Sequence, residues 1–279
     1  MPELPEVDLM ASHLRAEGAD SGDIGPVNVK RKSGDRYDGA YGISGATGPG
    51  RKLLGITRRG KYLIFRTSCG TGIAHNAMSG YWDTKENPWT FDYVEGRRES
   101  SESDVRFTID IKTGMGERVL RFHDARLFGS FKFHCNAEPE EWDVLQKLGP
   151  EPVLTPNTDP CAGGEVWSPA TRSRFRKKDH IKQALMDQSA VVGFGNIYAA
   201  ETLHLAKINP FRLVGSLSDV EFERVVEAGT KTLAAAITRA VDYSSLRCYR
   251  RKRCPDCQGE ITKADMKGRS TYYCGRCQR

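Results

Sequence analysis

Four cysteines near the end of the chain carry the most specific chemistry. Cys254, Cys257, Cys274 and Cys277 form C-P-D-C and C-G-R-C, separated by sixteen residues. Two such pairs at this spacing place four thiolates to close a tetrahedral Zn²⁺ site. Four thiolates leave no open coordination position, so a single Zn²⁺ there would be structural. The hairpin would fold with its metal, because so few residues cannot bury a sufficient core unaided. At the other end the chain reads M-P-E-L-P-E-V. Removal of Met1 would expose Pro2 as a secondary amine. An α-amine titrates near about 7.7 to 8.0, so a useful fraction is neutral at physiological pH. The positive end of a following helix, and a cation such as Lys61, would lower that value further. A neutral amine can attack an electrophilic carbon and form an iminium. Glu3 and Glu6, three residues apart on one helical face, are carboxyls within reach of such a nucleophile. Taken alone, Pro2 reads more simply as a helix-starting residue, and the two glutamates also complement a helix dipole.

These groups need a scaffold. The chain has 279 residues, 38% of them hydrophobic and 28% charged, which suits one large domain or two modest ones and excludes global disorder. No apolar run approaches the roughly 18 to 20 residues that span a bilayer. The N-terminus lacks the basic and apolar regions of a secretory signal. The expected setting is intracellular, without a membrane. Charge divides unevenly: residues 171–279 hold 21 basic and 11 acidic residues, against 21 and 25 in residues 1–170. A basic second half beside a mildly acidic first half fits a polyanion docking on one part of the molecule. Cys69, Cys135, Cys161 and Cys248 are scattered and read as reduced thiols.

Val7, Met10, Ala11 and Leu14 recur at helical spacing before Gly18, giving a first helix. Residues 19–52 mark short strands weakly, Lys61–Arg66 read as a strand, and 83–104 read as loop. Val105, Phe107, Ile109 and Ile111 alternate with Arg106, Thr108, Asp110 and Lys112, a half-buried strand. Residues 113–117 then turn into a partner strand, and Phe131 and Phe133 alternate again. Four prolines and two glycines in 149–163 indicate a linker. Beyond it the period is helical: Ile181, Ala184 and Leu185, then 197–206, then a capping box of Ser218 and Glu221 ahead of Phe222, Val225, Val226, Leu233 and Ile237. Gly193 and Gly195 in G-F-G-N allow a tight turn, and Asn196 opens a helix whose N–H groups suit a phosphate. The fold class is α+β.

Three separated stretches now line up: M-P-E-L-P-E-V, then V-V-G-F-G-N-I-Y-A-A-E at 191–201, then the four-cysteine finger with G-R-S-T-Y-Y-C. Together they resemble the formamidopyrimidine-DNA glycosylase and endonuclease VIII family of base-excision repair enzymes, almost end to end. Leu4 is similar to the formamidopyrimidine branch. The resemblance implies a β-sandwich domain over 1–148, a hinge over 149–166, a helix–two-turns–helix domain over 167–245 and a zinc finger over 246–279. It implies a monomer acting on double-stranded DNA that contains damaged bases, located with the DNA. It implies a bifunctional glycosylase and AP lyase in which Pro2 attacks the sugar C1′, Glu3 supplies a proton, Glu6 supports it and Lys61 holds a phosphate, with β,δ-elimination following. His75 and Met78 lie in H-N-A-M-S-G, similar to the family's H-L-x-M-S-G with Asn76 in place of Leu. Met78 with Arg126 and Phe128 of D-A-R-L-F-G resembles the trio that fills the void left by an extruded base. Lys182, Asn196 and Arg269 resemble phosphate ligands, Arg269 at the finger tip.

One segment departs from what the resemblance leads one to expect. Members that favour 8-oxoguanine carry a long loop between the last long helix and the finger. Here only twelve residues separate Val241 from Cys254. So short a segment leaves a flipped purine uncapped. The expectation is faster excision of formamidopyrimidines, hydantoins or oxidised pyrimidines than of 8-oxoguanine. The competing reading is a catalytically silent damaged-DNA-binding zinc-finger protein; Pro2, Glu3, Glu6 and Lys61 distinguish the two.

Overall fold

The computed structural model describes residues 2–29, 50–89, 91–93, 96–98, 101–136, 142–160 and 165–279. The chain clusters into two units. One comprises residues 1–2, 6–146 and 155–162; the other comprises 3–5, 147–154 and 163–279.

The first unit is built on α1 (Leu4–Ala16), which runs into it, and on an antiparallel sheet. Val7, Met10, Ala11 and Leu14 are fully buried, as their spacing requires, and Gly18 leaves the helix at φ +66°. The sheet contains β1 (Gly22–Val29), β2 (Lys52–Arg59), β3 (Tyr62–Thr67), β4 (Gly70–His75), β5 (Tyr81–Thr84), β8 (Val105–Thr113), β9 (Gly116–His123) and β10 (Ser130–Cys135). Its order is β10-β4-β3-β2-β1-β8-β9-β5. β5 and β10 are the two edges, yet Trp82 of β5 meets Phe131 of β10 with ring centroids 5.8 Å apart. The sheet therefore curls until its halves face each other, and Phe65, Trp82, Phe107, Phe122 and Phe131 fill the space between. Residues 83–104, expected as loop, are shorter in loop than that. They hold the end of β5 and a small hairpin of β6 (Phe91–Tyr93) and β7 (Gly96–Arg98). Strands this short leave too little alternation to register in sequence. Of the residues expected to face outward from β8, Arg106 is buried, because its guanidinium reaches the Asp124 carbonyl at 2.7 Å.

Asn76, where the family pattern has Leu, is buried. Its Nδ2 reaches only Met10 Sδ at 3.2 Å, and its Oδ1 has no partner among the described residues. A buried amide oxygen left unpaired costs about 1–3 kcal/mol. Asn76→Leu should therefore stabilise the protein by about that amount, read as a rise of several degrees in the thermal midpoint. A lowered midpoint would show that the amide is satisfied.

Residues 155–159 fall within the stretch expected as a linker, yet they make buried polar contacts in the first unit. The Asp8 carboxylate accepts from Arg58 Nε at 2.7 Å and from Asn157 Nδ2 at 3.1 Å, and Asp159 accepts from Arg66 at 2.9 Å. Gly163 and Cys161 lie outside the described residues. In the second unit, α3 (Ile181–Met186), α4 (Asn196–Leu205) and α5 (Asp219–Thr238) bury Leu185, Phe194, Leu203, Phe222, Val225 and Leu233. The capping box forms as read: Ser218 Oγ accepts from Glu221 N, and Glu221 Oε2 accepts from Ser218 N. Bonds from Arg212 and from the Ser218 backbone hold the Glu221 carboxyl down at about 2. A short α2 (Asp143–Gln146) belongs to the first unit, and β11 (Thr262–Met266) pairs with β12 (Arg269–Tyr273) in the second.

Candidate active site

In the first unit Pro2 and Glu6 are buried beside or within the first turns of α1. Met1 lies outside the described residues. Lys61 is not the first residue of β3. It occupies, with Gly60 at φ +55°, the two-residue turn joining β2 to β3, where a positive φ is required. His75 ends β4 with its ring 4.8 Å from that of Tyr62. Burial first, and the Lys61 charge second, lower its pKa below the ordinary value, so at neutral pH it is a neutral imidazole. Met78, Arg126 and Phe128 are all exposed, Phe128 by 64%, which removes the possibility that they are core. Arg126 Nη1 lies 3.9 Å from Met78 Sδ. The stretch carrying Arg126 and Phe128 is a turn, and Leu127 between them has φ +61°.

The second unit gathers Glu3, Lys182, Asn196 and Arg269. The Glu3 carboxylate accepts from Gly195 N at 2.7 Å, Ile197 N at 2.8 Å and Tyr198 N at 3.1 Å. The first turn of α4 therefore spends these amide protons on a carboxylate of the same chain. A helix N-terminus binds the anion held closest to it, and Glu3 is that anion. This corrects the expectation that those amides await a phosphate. Gly195 makes the approach possible: a Cβ there would stand 2.5 Å from Glu3 Cδ. Gly193, at φ +92°, has Leu4 equally close and accepts from Leu4 N at 3.0 Å.

Lys182 is buried, and its Nζ donates to Asn196 Oδ1 at 2.6 Å, Thr271 Oγ1 at 2.8 Å and Ser270 O at 3.1 Å. All three ammonium protons are engaged within the protein, so Lys182 braces Asn196 against β12 and is not presented to solvent as a phosphate ligand would be. Burial, helped by the Arg269 charge, lowers its pKa to about 8. Asn196 donates in turn to Ser270 O at 3.0 Å. Arg269 is exposed at the first position of β12, just beyond the Lys267-Gly268 turn of the hairpin.

The four finger sulfurs lie within 4.8 Å of one another. Cys254 and Cys277 are 3.8 Å apart, and Cys257 and Cys274 are 3.5 Å apart. Tetrahedral Zn–S bonds of about 2.3 Å demand S···S separations of about 3.8 Å, so the donor set fits Zn²⁺.

Residues 1–131 match the family model for the formamidopyrimidine-DNA glycosylase N-terminal domain, and residues 148–247 match that for the formamidopyrimidine-DNA glycosylase H2TH domain. The chain belongs to the formamidopyrimidine-DNA glycosylase family. A formamidopyrimidine-DNA glycosylase of Stenotrophomonas maltophilia is 33% identical over the whole of both chains, and one of Vibrio vulnificus is 34% identical over 82% of this chain and 83% of its own. Among solved structures, the Lactococcus lactis formamidopyrimidine-DNA glycosylase bound non-covalently to DNA containing an AP site is similar at 26% identity. It covers 99% of both chains with a TM-score of 0.75. MutM in complex with DNA containing carbocyclic 8-oxoguanine is also 26% identical, with complete coverage of both chains and a TM-score of 0.78.

Within this formamidopyrimidine-DNA glycosylase fold, sequence reasoning passed over two buried residues. Glu201 accepts from the backbone of Arg247, Cys248 and Tyr249 at 2.7–2.8 Å, clamping the segment between α5 and the finger. Its place in I-Y-A-A-E was the only available signal, since the partners are backbone groups 46 to 48 residues away. His204 Nε2 lies 3.2 Å from Cys254 Sγ and shares no sequence pattern with the finger. Residues 250–253 are the cationic run R-R-K-R. Arg251 donates to the carbonyls of Tyr243, Ser244 and Leu246, and Arg253 donates to that of Gln258, so neither is simply a solvated charge.

Proposed function

We propose that this protein is a bifunctional DNA glycosylase and AP lyase that excises oxidised bases from duplex DNA, working as a monomer where the cell keeps its DNA. The observation that carries the reading is Glu3: a buried carboxyl one residue from Pro2, anchored by three amide protons of α4. In this reading the Pro2 amine, freed by loss of Met1, attacks C1′ of the damaged nucleotide. Glu3 passes a proton to the ribose oxygen, and the amide donors then stabilise the carboxylate left behind. The C1′–base bond breaks and the base leaves; the Pro2 nitrogen loses its proton, and the C1′–O4′ bond opens onto the ribose oxygen that takes the Glu3 proton. The resulting C1′ iminium accepts electrons as C2′ and then C4′ lose protons and the 3′ and then the 5′ phosphates depart. Glu6 supports the acid. Lys61 and the neutral His75 donate to a phosphate beside the lesion. Asn196, braced by Lys182, and Arg269 meet the backbone on the finger side. Zn²⁺ would be held by Cys254, Cys257, Cys274 and Cys277, which flank the β11–β12 hairpin, and would serve structure and not the reaction. The reading is tested by incubating lesion-bearing duplex with the processed enzyme and borohydride. A covalent adduct and a nicked product are expected; binding without either product would leave only the silent DNA-binding protein.

Arg269→Ala should keep zinc and fold, yet flatten the plot of log K against log salt by about one unit, as one lost phosphate contact requires. An unchanged slope would remove Arg269 from the interface. Cys274→Ser, by contrast, should release zinc and weaken binding through loss of the hairpin itself.

For the lesion, we infer a preference for formamidopyrimidines, hydantoins and oxidised pyrimidines over 8-oxoguanine. The segment between α5 and the finger supports it. That segment is pinned by Glu201 and closed on itself by Arg251 and by Asp242, whose carboxylate accepts from Ser244 N at 2.8 Å. It has neither the length nor the slack to fold over an extruded purine. Discrimination then rests on how readily a damaged base leaves the stack. Single-turnover rates on matched duplexes check this: 8-oxoguanine opposite cytosine emerging as the fastest substrate would overturn it.

A further inference from the structure

We infer that Asp124 is a positioning residue for base extrusion and for reading the opposite strand, because its one carboxylate sets the loops that carry Met78, Arg126 and Phe128. The inference rests on the reading of those three side chains as the group that enters the vacated stack.

The three belong to separate connections. Met78 lies between β4 and β5, and Arg126 and Phe128 lie between β9 and β10. Strand pairing joins the ends of the two connections, His75 with Ser130 and Tyr81 with His123, but Met78, Arg126 and Phe128 lie beyond those pairs. Asp124 links the connections between those ends. Its Oδ1 accepts from Ser79 Oγ at 2.6 Å, beside Met78, and from Arg126 N at 3.3 Å. Its Oδ2 accepts from Gly129 N at 2.6 Å, beside Phe128. Ser79 Oγ closes the circuit by accepting from Arg126 N at 3.1 Å. The residue is itself held at both ends of its backbone. Asp124 N donates to Asp104 O at 2.8 Å, and Asp124 O accepts from Arg106 Nε at 2.7 Å. Asp124 is wholly buried, while Met78 and Phe128 above it are 45% and 64% exposed.

Both connections also contain a non-glycine residue in the left-handed region directly beside an exposed side chain. Ala77 has φ +46° next to Met78, and Leu127 has φ +61° between Arg126 and Phe128. Such conformations persist only where the surroundings over-determine them. The buried carboxylate, receiving one hydroxyl and two amide protons, is what over-determines them here. Gly129 completes the device, since a Cβ there would stand 2.7 Å from the Phe122 ring and 3.0 Å from Asp124 Oδ2. The trio is thereby presented to DNA already shaped, and ordering need not be supplied when the base leaves the stack.

The test compares two substrates. One is duplex with a lesion opposite cytosine or adenine, whose excision requires extrusion. The other is a single-stranded oligonucleotide with an abasic site, whose cleavage requires none. Asp124→Asn presents one acceptor and one amino group where two acceptors are needed. It should slow single-turnover excision from the duplex at least tenfold more than it slows cleavage of the abasic strand. Arg126, whose donors would face the orphan base, fits the two acceptors N3 and O2 of cytosine better than the one acceptor beside a donor of adenine, so the variant should also narrow the cytosine-to-adenine rate ratio, with zinc content unchanged. If Asp124→Asn fails to fold, Ser79→Ala removes the hydroxyl link alone and should show the same split, with Ser79→Thr restoring it. Equal losses on both substrates, or no loss on duplex in a folded variant, would overturn the inference. Arg126→Ala and Phe128→Ala separate the two levels. If they lower duplex excision and the opposite-base ratio while Asp124→Asn and Ser79→Ala do not, only the positioning role fails. If they change neither, the reading of the trio fails with it.

Discussion

An enzyme carrying one additional residue ahead of Pro2 should form no borohydride-trapped adduct and should nick no lesion-bearing duplex above background. The reason is electronic. Acylation turns the Pro2 nitrogen into a tertiary amide whose lone pair is delocalised into the carbonyl, so it cannot attack C1′. Binding should survive, because Lys61, His75, Asn196 and Arg269 are untouched. The measurement is a trapping gel alongside an equilibrium binding titration on the same duplex. Full trapping by the blocked protein would assign the nucleophile elsewhere and end the Pro2 mechanism. A processed Pro2→Gly protein, with a primary amine in the same place, should retain some trapping, because the chemistry needs an amine and not a pyrrolidine ring.

Gly195→Ala should lower single-turnover excision by about 100-fold or more while leaving zinc content and the finger intact. The added methyl would stand 2.5 Å from Glu3 Cδ and 2.6 Å from Oε1. Glu3 must then move, and with it the carboxyl that the three amides of Gly195, Ile197 and Tyr198 hold in place. A displacement of about 1 Å at a reacting group costs about 100-fold in rate. Glu3→Gln should show a loss at least as large, because an amide carries no acidic proton and its amino group would meet an N–H where both carboxylate oxygens now accept. Gly195→Ala keeps the acid and so reports misplacement alone. Wild-type excision by Gly195→Ala would mean that the Glu3 carboxyl need not sit at the α4 N-terminus during the reaction. Gly193→Ala is a poorer probe of the same point, because a side chain at φ +92° is strained whatever it touches.

Much of the fold was legible in the sequence because it is written in local periods. The α1 face and the capping box of α5 each obey a short-range rule and formed as read, and the β8 alternation formed with Arg106 as its exception. The zinc ligands were legible for a related reason. A tetrahedral thiolate site imposes its own spacing on a hairpin, and the sulfur separations meet it. The family could be named because three motifs in order are improbable apart from common descent. What tertiary structure alone decided are the partners of buried charges. The α4 amides meet Glu3, across more than 190 residues of sequence, instead of an open phosphate site. Lys182 gives its protons to Asn196 and β12. Asp124 joins two loops, and Glu201 clamps the approach to the finger. Side-chain periodicity reports which face a residue turns inward. It does not report which distant amide or hydroxyl will be waiting there, because that depends on how separate elements close on one another. A buried carboxylate must find such donors or pay its desolvation uncompensated, and only the folded chain determines which donors those are.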